Sequence, residues 1–214
     1  DNRVDEVTSA LHAGNIYVNR NQIGAVVGSQ PFGGEGLSGT GPKAGGPDYL
    51  TRFTAPVPVE ATEAPAATAV KSIWIQKALG RFRESEPMAR RDLPGPTGET
   101  NRLSFYRRAP LVCLGPDTAA QARAVRDLGG SAVEAPGIEP SDLLTLEGFS
   151  GVLWWGGDAK GRAYVLALAQ RRGPILPLIT ALPDRAHVAH ERHVCVDTTA
   201  SGGNAALLAE AGSA

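Results

Sequence analysis

Sulfur is scarce in this chain. Two cysteines, Cys113 and Cys195, and one methionine, Met88, are spread over 214 residues. Both cysteines sit in apolar runs, Leu111–Leu114 and His193–Val196. They read as buried free thiols of a cytosolic protein, which leaves no disulfide framework to hold the fold. No stretch approaches the roughly 20 apolar residues of a helical membrane span, and no signal-peptide pattern is visible. Net charge is also lacking: the formal value is −1. That excludes a global electrostatic attraction to nucleic acid or to an anionic membrane. The chain opens Asp1-Asn2-Arg3 without an initiator methionine and reads as a piece of a longer polypeptide.

Glycine (26) and proline (16), by contrast, are plentiful, and 42% of the residues are hydrophobic. The length suits one large or two small domains. Charge is uneven, with nine basic and four acidic residues between Lys71 and Arg108. An arginine-rich solvated belt is the plain reading of that segment. The densest glycine run follows Gly14-Asn-Ile-Tyr-Val-Asn19 and continues through Pro31-Phe-Gly-Gly-Glu-Gly-Leu-Ser-Gly-Thr-Gly-Pro-Lys-Ala-Gly-Gly46. Ordinary connections span about 4–6 residues. A loop this long and this rich in glycine is built to bring backbone close to a ligand.

The elements can be read in order. Val4, Val7 and Leu11 give residues 1–13 one apolar helical face, which Gly14 is placed to end. Ile16 to Asn19 is a short strand. Tyr49 to Val57 reads as an extended edge strand interrupted by Pro56. Residues 58–69 are a low-complexity linker. Lys71 to Phe82 is helical, and Pro87, Pro94 and Pro96 break the pattern. From Arg108 strands alternate with helices. The strands are Leu111–Gly115, Ala132–Ala135, Gly151–Trp155, Pro174–Thr180 and His190–Val196. The helices are one capped by Asp117, one over Ser141–Phe149 and one from Asp158 to Arg172. This alternation indicates an α/β fold with a parallel, Rossmann-like sheet. The domain reading is 1–57, 58–107 (a linker with one helix), 108–189 and 190–214.

Several motifs invite chemistry. Gly34-Glu-Gly36-Leu-Ser-Gly39 matches G-x-G-x-x-G, but Gly41, Pro42 and Gly45 leave no helix to open there, so a dinucleotide site is not expected. Lys43 follows Gly41-Pro42 and does not complete a P-loop. Ile23-Gly24-Ala25-Val26 offers successive peptide N–H groups beside small residues, a clamp for a carboxylate. Phe32 is placed to pack on the same ligand; the competing reading is a turn with a core phenylalanine. Neither Cys113 nor Cys195 sits in the electropositive, partly exposed setting of a nucleophile. His187, His190 and His193 are spaced by three, which in an extended segment sends alternate side chains to opposite faces. They read as surface histidines, with no metal site. Trp154 and Trp155 face opposite sides of a strand.

Residues 1 to about 54 closely resemble the C-terminal end of aldehyde dehydrogenases, in particular glutamate-semialdehyde dehydrogenases. Tyr17-Val18-Asn19-Arg20-Asn21 and Gln30-Pro31-Phe32-Gly33-Gly34 carry the match. The resemblance implies that Gly24 and Ala25 bind the α-carboxylate of L-glutamate γ-semialdehyde, and that Phe32 contacts its aldehyde chain. It also implies that the nucleophilic cysteine, the general base and most of the NAD site lie upstream of Asp1, so that no catalytic, cofactor-binding or metal residue falls in this segment. The tail from Arg192 to Leu207 resembles the C-terminal motif of the bifunctional proline utilization A family. The unit before it is similar to the extra C-terminal domain of that family's longer members. This implies the end of an aldehyde dehydrogenase catalytic domain followed by a Rossmann-like accessory domain, in an NAD-dependent, cytoplasmic, homo-oligomeric enzyme of proline catabolism. FAD would belong to an upstream proline dehydrogenase domain. The tail would roof a cavity through which the intermediate passes. Alternatives are a monofunctional aldehyde dehydrogenase of the same family and a non-catalytic docking or oligomerisation module.

Overall fold

The computed structural model of the chain describes residues 2–21, 23, 25–39, 41–60, 69–84 and 86–198. Its elements begin with α1 (Asn2–Ala10), β1 (Asn15–Val18), α2 (Ser72–Leu79), β2 (Ala89–Leu93), β3 (Glu99–Arg107) and β4 (Leu111–Cys113). They continue with α3 (Thr118–Asp127), β5 (Ala132–Glu134), β6 (Gly151–Leu153) and α4 (Asp158–Ala169). The last are β7 (Leu178–Ile179), α5 (Arg185–Val188) and β8 (Ala189–Asp197). Two compact units result. One comprises Asp1–Leu50, Pro87–Phe105 and Glu191–Ala214, and the other Thr51–Glu86 and Tyr106–His190.

The second unit is an α/β layer structure. Its sheet runs β5-β4-β6-β7, and every pairing is parallel. Successive residues on a strand face opposite sides, and both sides are filled here. Val112 and Val152 join Ile75, Leu79, Leu143, Tyr164 and Leu168 in one core cluster. Their neighbours Leu111 and Leu153 join Val125, Ile179 and Val188 in the other. A sheet covered on both faces explains why these short strands are continuous apolar runs. Asp117 caps α3 as expected, its side chain accepting from the Ala120 N–H at 2.9 Å. Trp154 packs against the first cluster and Trp155 is buried in the second, so the pair does straddle the sheet. Arg107 and Arg108 are not simply solvated. Their Nε atoms donate to the carbonyl oxygens of Gly129 (2.7 Å) and of Ala186 and Ala189 (both 3.0 Å).

The first unit holds a mixed sheet of order β1-β8-β3-β2. Strand β8 runs parallel to β1, with Asn15 opposite His193 and Tyr17 opposite Cys195. The antiparallel β2–β3 hairpin occupies sequence expected to be linker. Its period-two signal is present, since Asn101, Leu103 and Phe105 are all buried. The Pro94-Gly-Pro96 turn and the exposed charges of β2 obscure it.

Three other expectations need correction. Tyr49–Phe53 forms a 3₁₀ turn rather than an edge strand. The Tyr49 N–H donates back to Gly46 O at 3.2 Å, and the Thr54 hydroxyl donates to Thr51 O at 3.1 Å. These local bonds tighten the chain where a ladder partner was expected. The helix expected over Ser141–Phe149 is a short 3₁₀ segment, Pro140–Leu144, tied at its start by Glu139 and Asp142. Helix α1 ends at Ala10, before Gly14.

Helix α2 docks on the parallel sheet through Ile75 and Leu79, both 2% exposed. Leu79→Ala should therefore lower stability by about 2–4 kcal/mol, the usual cost of a buried leucine with partial collapse of the cavity. Urea denaturation of the chain measures it. A change under about 0.5 kcal/mol would show that α2 is not part of the cooperative core.

Candidate functional site

The glycine loop leaves β1 at Asn19, whose φ of 58° is left-handed. It returns at Ala44, which pairs with Phe32 through two backbone bonds of 3.0 and 2.9 Å. Between these points side chains rather than regular structure set the path.

The first fastening is at Glu99, a carboxylate only 5% exposed. It accepts from Arg20 Nη1, from Gln30 Nε2 at 3.0 Å and from Asn101 Nδ2 at 2.8 Å. Gln30 is buried and its Oε1 accepts from the Val26 N–H at 3.1 Å. The segment from Val26 to Gln30 closes as a turn, with the Gln30 N–H on Val26 O at 2.8 Å.

The second fastening surrounds Phe32. Asn15 Nδ2 donates to Pro31 O at 2.9 Å, and the Gly33 N–H donates to Asn15 Oδ1 at 3.1 Å. The Lys43 ammonium donates to the same Oδ1 at 3.0 Å and to Gly33 O. Lys43 is 1% exposed, and burial pulls its pKa down to about 8 against the opposing pull of Glu191 and Glu35. Gly14 is small because the loop lies on it: a Cβ there would stand 2.1 Å from Gly33 O. That close approach, rather than a helix end, is what Gly14 provides.

The third fastening comes from β8. Glu191 Oε2 accepts from the Lys43 N–H at 2.6 Å. Arg192 grips Glu35 with two bonds, Nε to Oε2 at 2.7 Å and Nη2 to Oε1 at 2.6 Å. Such two-pronged pairs fix orientation as well as position.

Among the residues expected to bind substrate, Ala25 and Phe32 lie in this loop on either side of the Val26–Gln30 turn, and Gly24 lies outside the described residues. The wider clamp over Ile23–Val26 is corrected. The Ile23 N–H is taken by Asn21 Oδ1 at 3.0 Å and the Val26 N–H by Gln30. Half-buried Ala25 lies between these two committed groups. Within this chain Phe32 is 54% exposed. A cleft of about 470 Å³ adjoins the start of the loop, lined by Asn15, Tyr17, Arg20, Asn21 and Ile23.

The thiols are placed for structure. Cys113 and Cys195 are both fully buried, and burial pushes both pKa values up, to about 12 for Cys113. The histidines are not a surface set. His193 is fully buried in β8, and His190 stacks on Tyr106 with ring centroids 5.8 Å apart. His187 pairs with Asp184 at 2.8 Å. No group of three metal-ligating side chains occurs among the described residues.

Gly36–Ser38 is a three-residue 3₁₀ turn with no helix behind it to receive a pyrophosphate. The turn entering α3 presents the carboxylate of Asp117. The supporting roles of Asn15, Gln30, Lys43, Glu99 and Arg192 could not be read from the sequence, because each meets a partner far away along the chain.

Residues 1–59 match the model of the aldehyde dehydrogenase family. The likeness then extends to the bifunctional PutA proteins. The Escherichia coli protein is 33% identical over 263 aligned positions, covering 97% of this chain and 20% of the relative. The human mitochondrial delta-1-pyrroline-5-carboxylate dehydrogenase is 47% identical over 64 positions, covering 29% of this chain and 11% of that one. The solved PutA structure from Corynebacterium freiburgense superposes with a TM-score of 0.55 at 20% identity, over 94% of this chain and 22% of that one, and so shares the fold. The chain spans about a fifth of the length of the PutA proteins it matches.

Burial of His193, reinforced by the Lys43 ammonium, lowers its pKa from 6.5 to about 4. The Ser29 backbone and Glu99 oppose the shift without reversing it. Between these values the unfolded chain takes up a proton that the folded chain refuses. Stability should thus fall as the pH drops from 6.5 toward 4, by about 3 kcal/mol in total from this group. His193→Gln should flatten the slope relative to the parent in urea titrations at pH 7, 6 and 5. Parallel slopes in the two proteins would exclude His193 as the source.

Proposed function

We propose that this chain supplies the substrate anchor of an NAD-dependent L-glutamate γ-semialdehyde dehydrogenase within a bifunctional enzyme of proline catabolism. The observation that carries this reading is Phe32. A large aromatic is left half exposed while the backbone on both sides of it is bonded, through Pro31 O, Gly33 N–H and Gly33 O. Rigid backbone beneath an exposed ring suits a ligand contact better than a core position. In this role the Gly24–Ala25 peptide groups hold the substrate carboxylate. The Phe32 ring lies along its methylene chain and leaves the aldehyde carbon free for attack.

The reaction itself belongs to groups outside this chain. There a cysteine thiolate would add to the aldehyde, NAD would supply the hydride acceptor, and water would release glutamate from the thioester. The anchor contributes orientation, which lowers the entropic part of the barrier. Likeness to PutA along 97% of the chain supports the bifunctional setting over a monofunctional dehydrogenase. In that setting FAD serves an upstream proline dehydrogenase domain. Of the tail from Arg192 to Leu207, proposed as a lid over the internal cavity, the part after Thr198 lies outside the described residues.

Two substitutions in the complete enzyme test the anchor. Ala25→Asp places a carboxylate where the substrate carboxylate binds, and like charges repel at short range. The KM for the semialdehyde should rise by about tenfold or more, with the KM for NAD unchanged. Phe32→Ala should lower kcat/KM for the semialdehyde by about 10–100-fold, again sparing NAD. Folded variants with unaltered semialdehyde kinetics would refute the anchor, and a selective loss of NAD affinity would reassign the loop to the cofactor.

A further inference from the structure

We infer that Asn15 and Lys43 form a positioning pair that sets Phe32 for the substrate chain; this rests on the anchor reading above. Every polar backbone group flanking Phe32 that these two side chains reach is bonded. Asn15 takes Pro31 O and the Gly33 N–H, and Lys43 takes Gly33 O. The two are joined to each other by the 3.0 Å bond from the ammonium to Asn15 Oδ1. The Phe32–Ala44 bridge closes the ring of contacts one residue from Lys43.

A lysine is an expensive group to bury, because its charge loses water on entering the fold. Here the backbone of Lys43 is held by Glu191 and its ammonium faces two oxygen acceptors. A plain glycine turn needs no such residue. The ammonium holds Gly33 O, so the backbone beside Phe32 is fixed while the ring itself stays half exposed. Asn15 also lines the 470 Å³ cleft beside the loop, so the same side chain connects the cleft wall to the Phe32 backbone. Neither residue is proposed to take part in the chemistry. Both act through the aromatic ring.

The test uses the complete enzyme with Lys43→Met, which keeps length and removes the donor. KM for L-glutamate γ-semialdehyde should rise about tenfold with kcat held within about twofold. Propionaldehyde, which has no carboxylate or long chain to align, should be oxidised as before. In a Phe32→Ala background Lys43→Met should add no further loss, because the pair acts through the removed ring. Amide exchange should quicken at Gly33 while β3 and β8 stay protected. If Lys43→Met fails to fold, Asn15→Ser carries the same cycle. Losses that multiply in the double variant, or equal losses on both aldehydes, overturn the inference. If Phe32→Ala and Ala25→Asp are themselves silent, the anchor reading falls and this inference with it. If Phe32→Ala is harmful and Lys43→Met is silent, only the positioning role is lost.

Discussion

The glycine loop of this protein depends on a buried carboxylate. Glu99 opens β3, a strand whose inward residues are core, and from there it meets the first arginine of the loop, the glutamine that closes the next turn, and an asparagine of its own strand. A carboxylate removed from water is unfavourable unless its lone pairs are occupied. Here the cation and two amides occupy them. Because Gln30 spends its other end on the Val26 N–H, the loop cannot move its turn without stripping the carboxylate of a donor. A loop with seven glycines in the 26 positions from Asn19 to Ala44 thereby acquires a defined path with little regular structure among its described residues.

Much of the second unit was legible from sequence because its physics is local. The apolar runs at Leu111, Gly151 and Leu178 and the periodic segments after Asp117 and Asp158 announce a covered parallel sheet, and that sheet is present. One error there concerns length: β7 keeps two residues of an expected seven, since Pro174 and Pro177 cannot donate to a ladder. The first unit was harder to read. Its hairpin combines a charged strand with a proline-rich turn, and the charges face solvent while the neighbouring strand supplies the core.

The candidate site divides in the same way. Ala25 and Phe32 could be named because they lie in motifs that resemble a known family. Their supports could not. Lys43 looked like a loop lysine, and nothing beside it in the chain indicates that Asn15, Gly33 and Glu191 surround it. The same is true of Arg192 and Glu35, separated by 157 positions. His193, spaced like its neighbours, was assigned to the surface although the pairing of β8 with β1 encloses it. Spacing reports which face of an element a residue occupies; it does not report what covers that face.

The hold of β8 on the loop has a consequence for how the protein is made. Glu191 and Arg192 are adjacent, yet each fastens a part of the loop about 150 residues earlier in the chain. Contacts of such long sequence separation form late. On a ribosome that emits the chain from its first residue, the loop leaves the exit tunnel long before its fastenings exist. The intervening α/β unit also closes late, since Val57 and Pro58 meet Leu182 and Ala181 far along the chain. Until β8 arrives, the loop lacks the bonds of Glu191 and Arg192, and the order of synthesis makes it one of the last features to be finished.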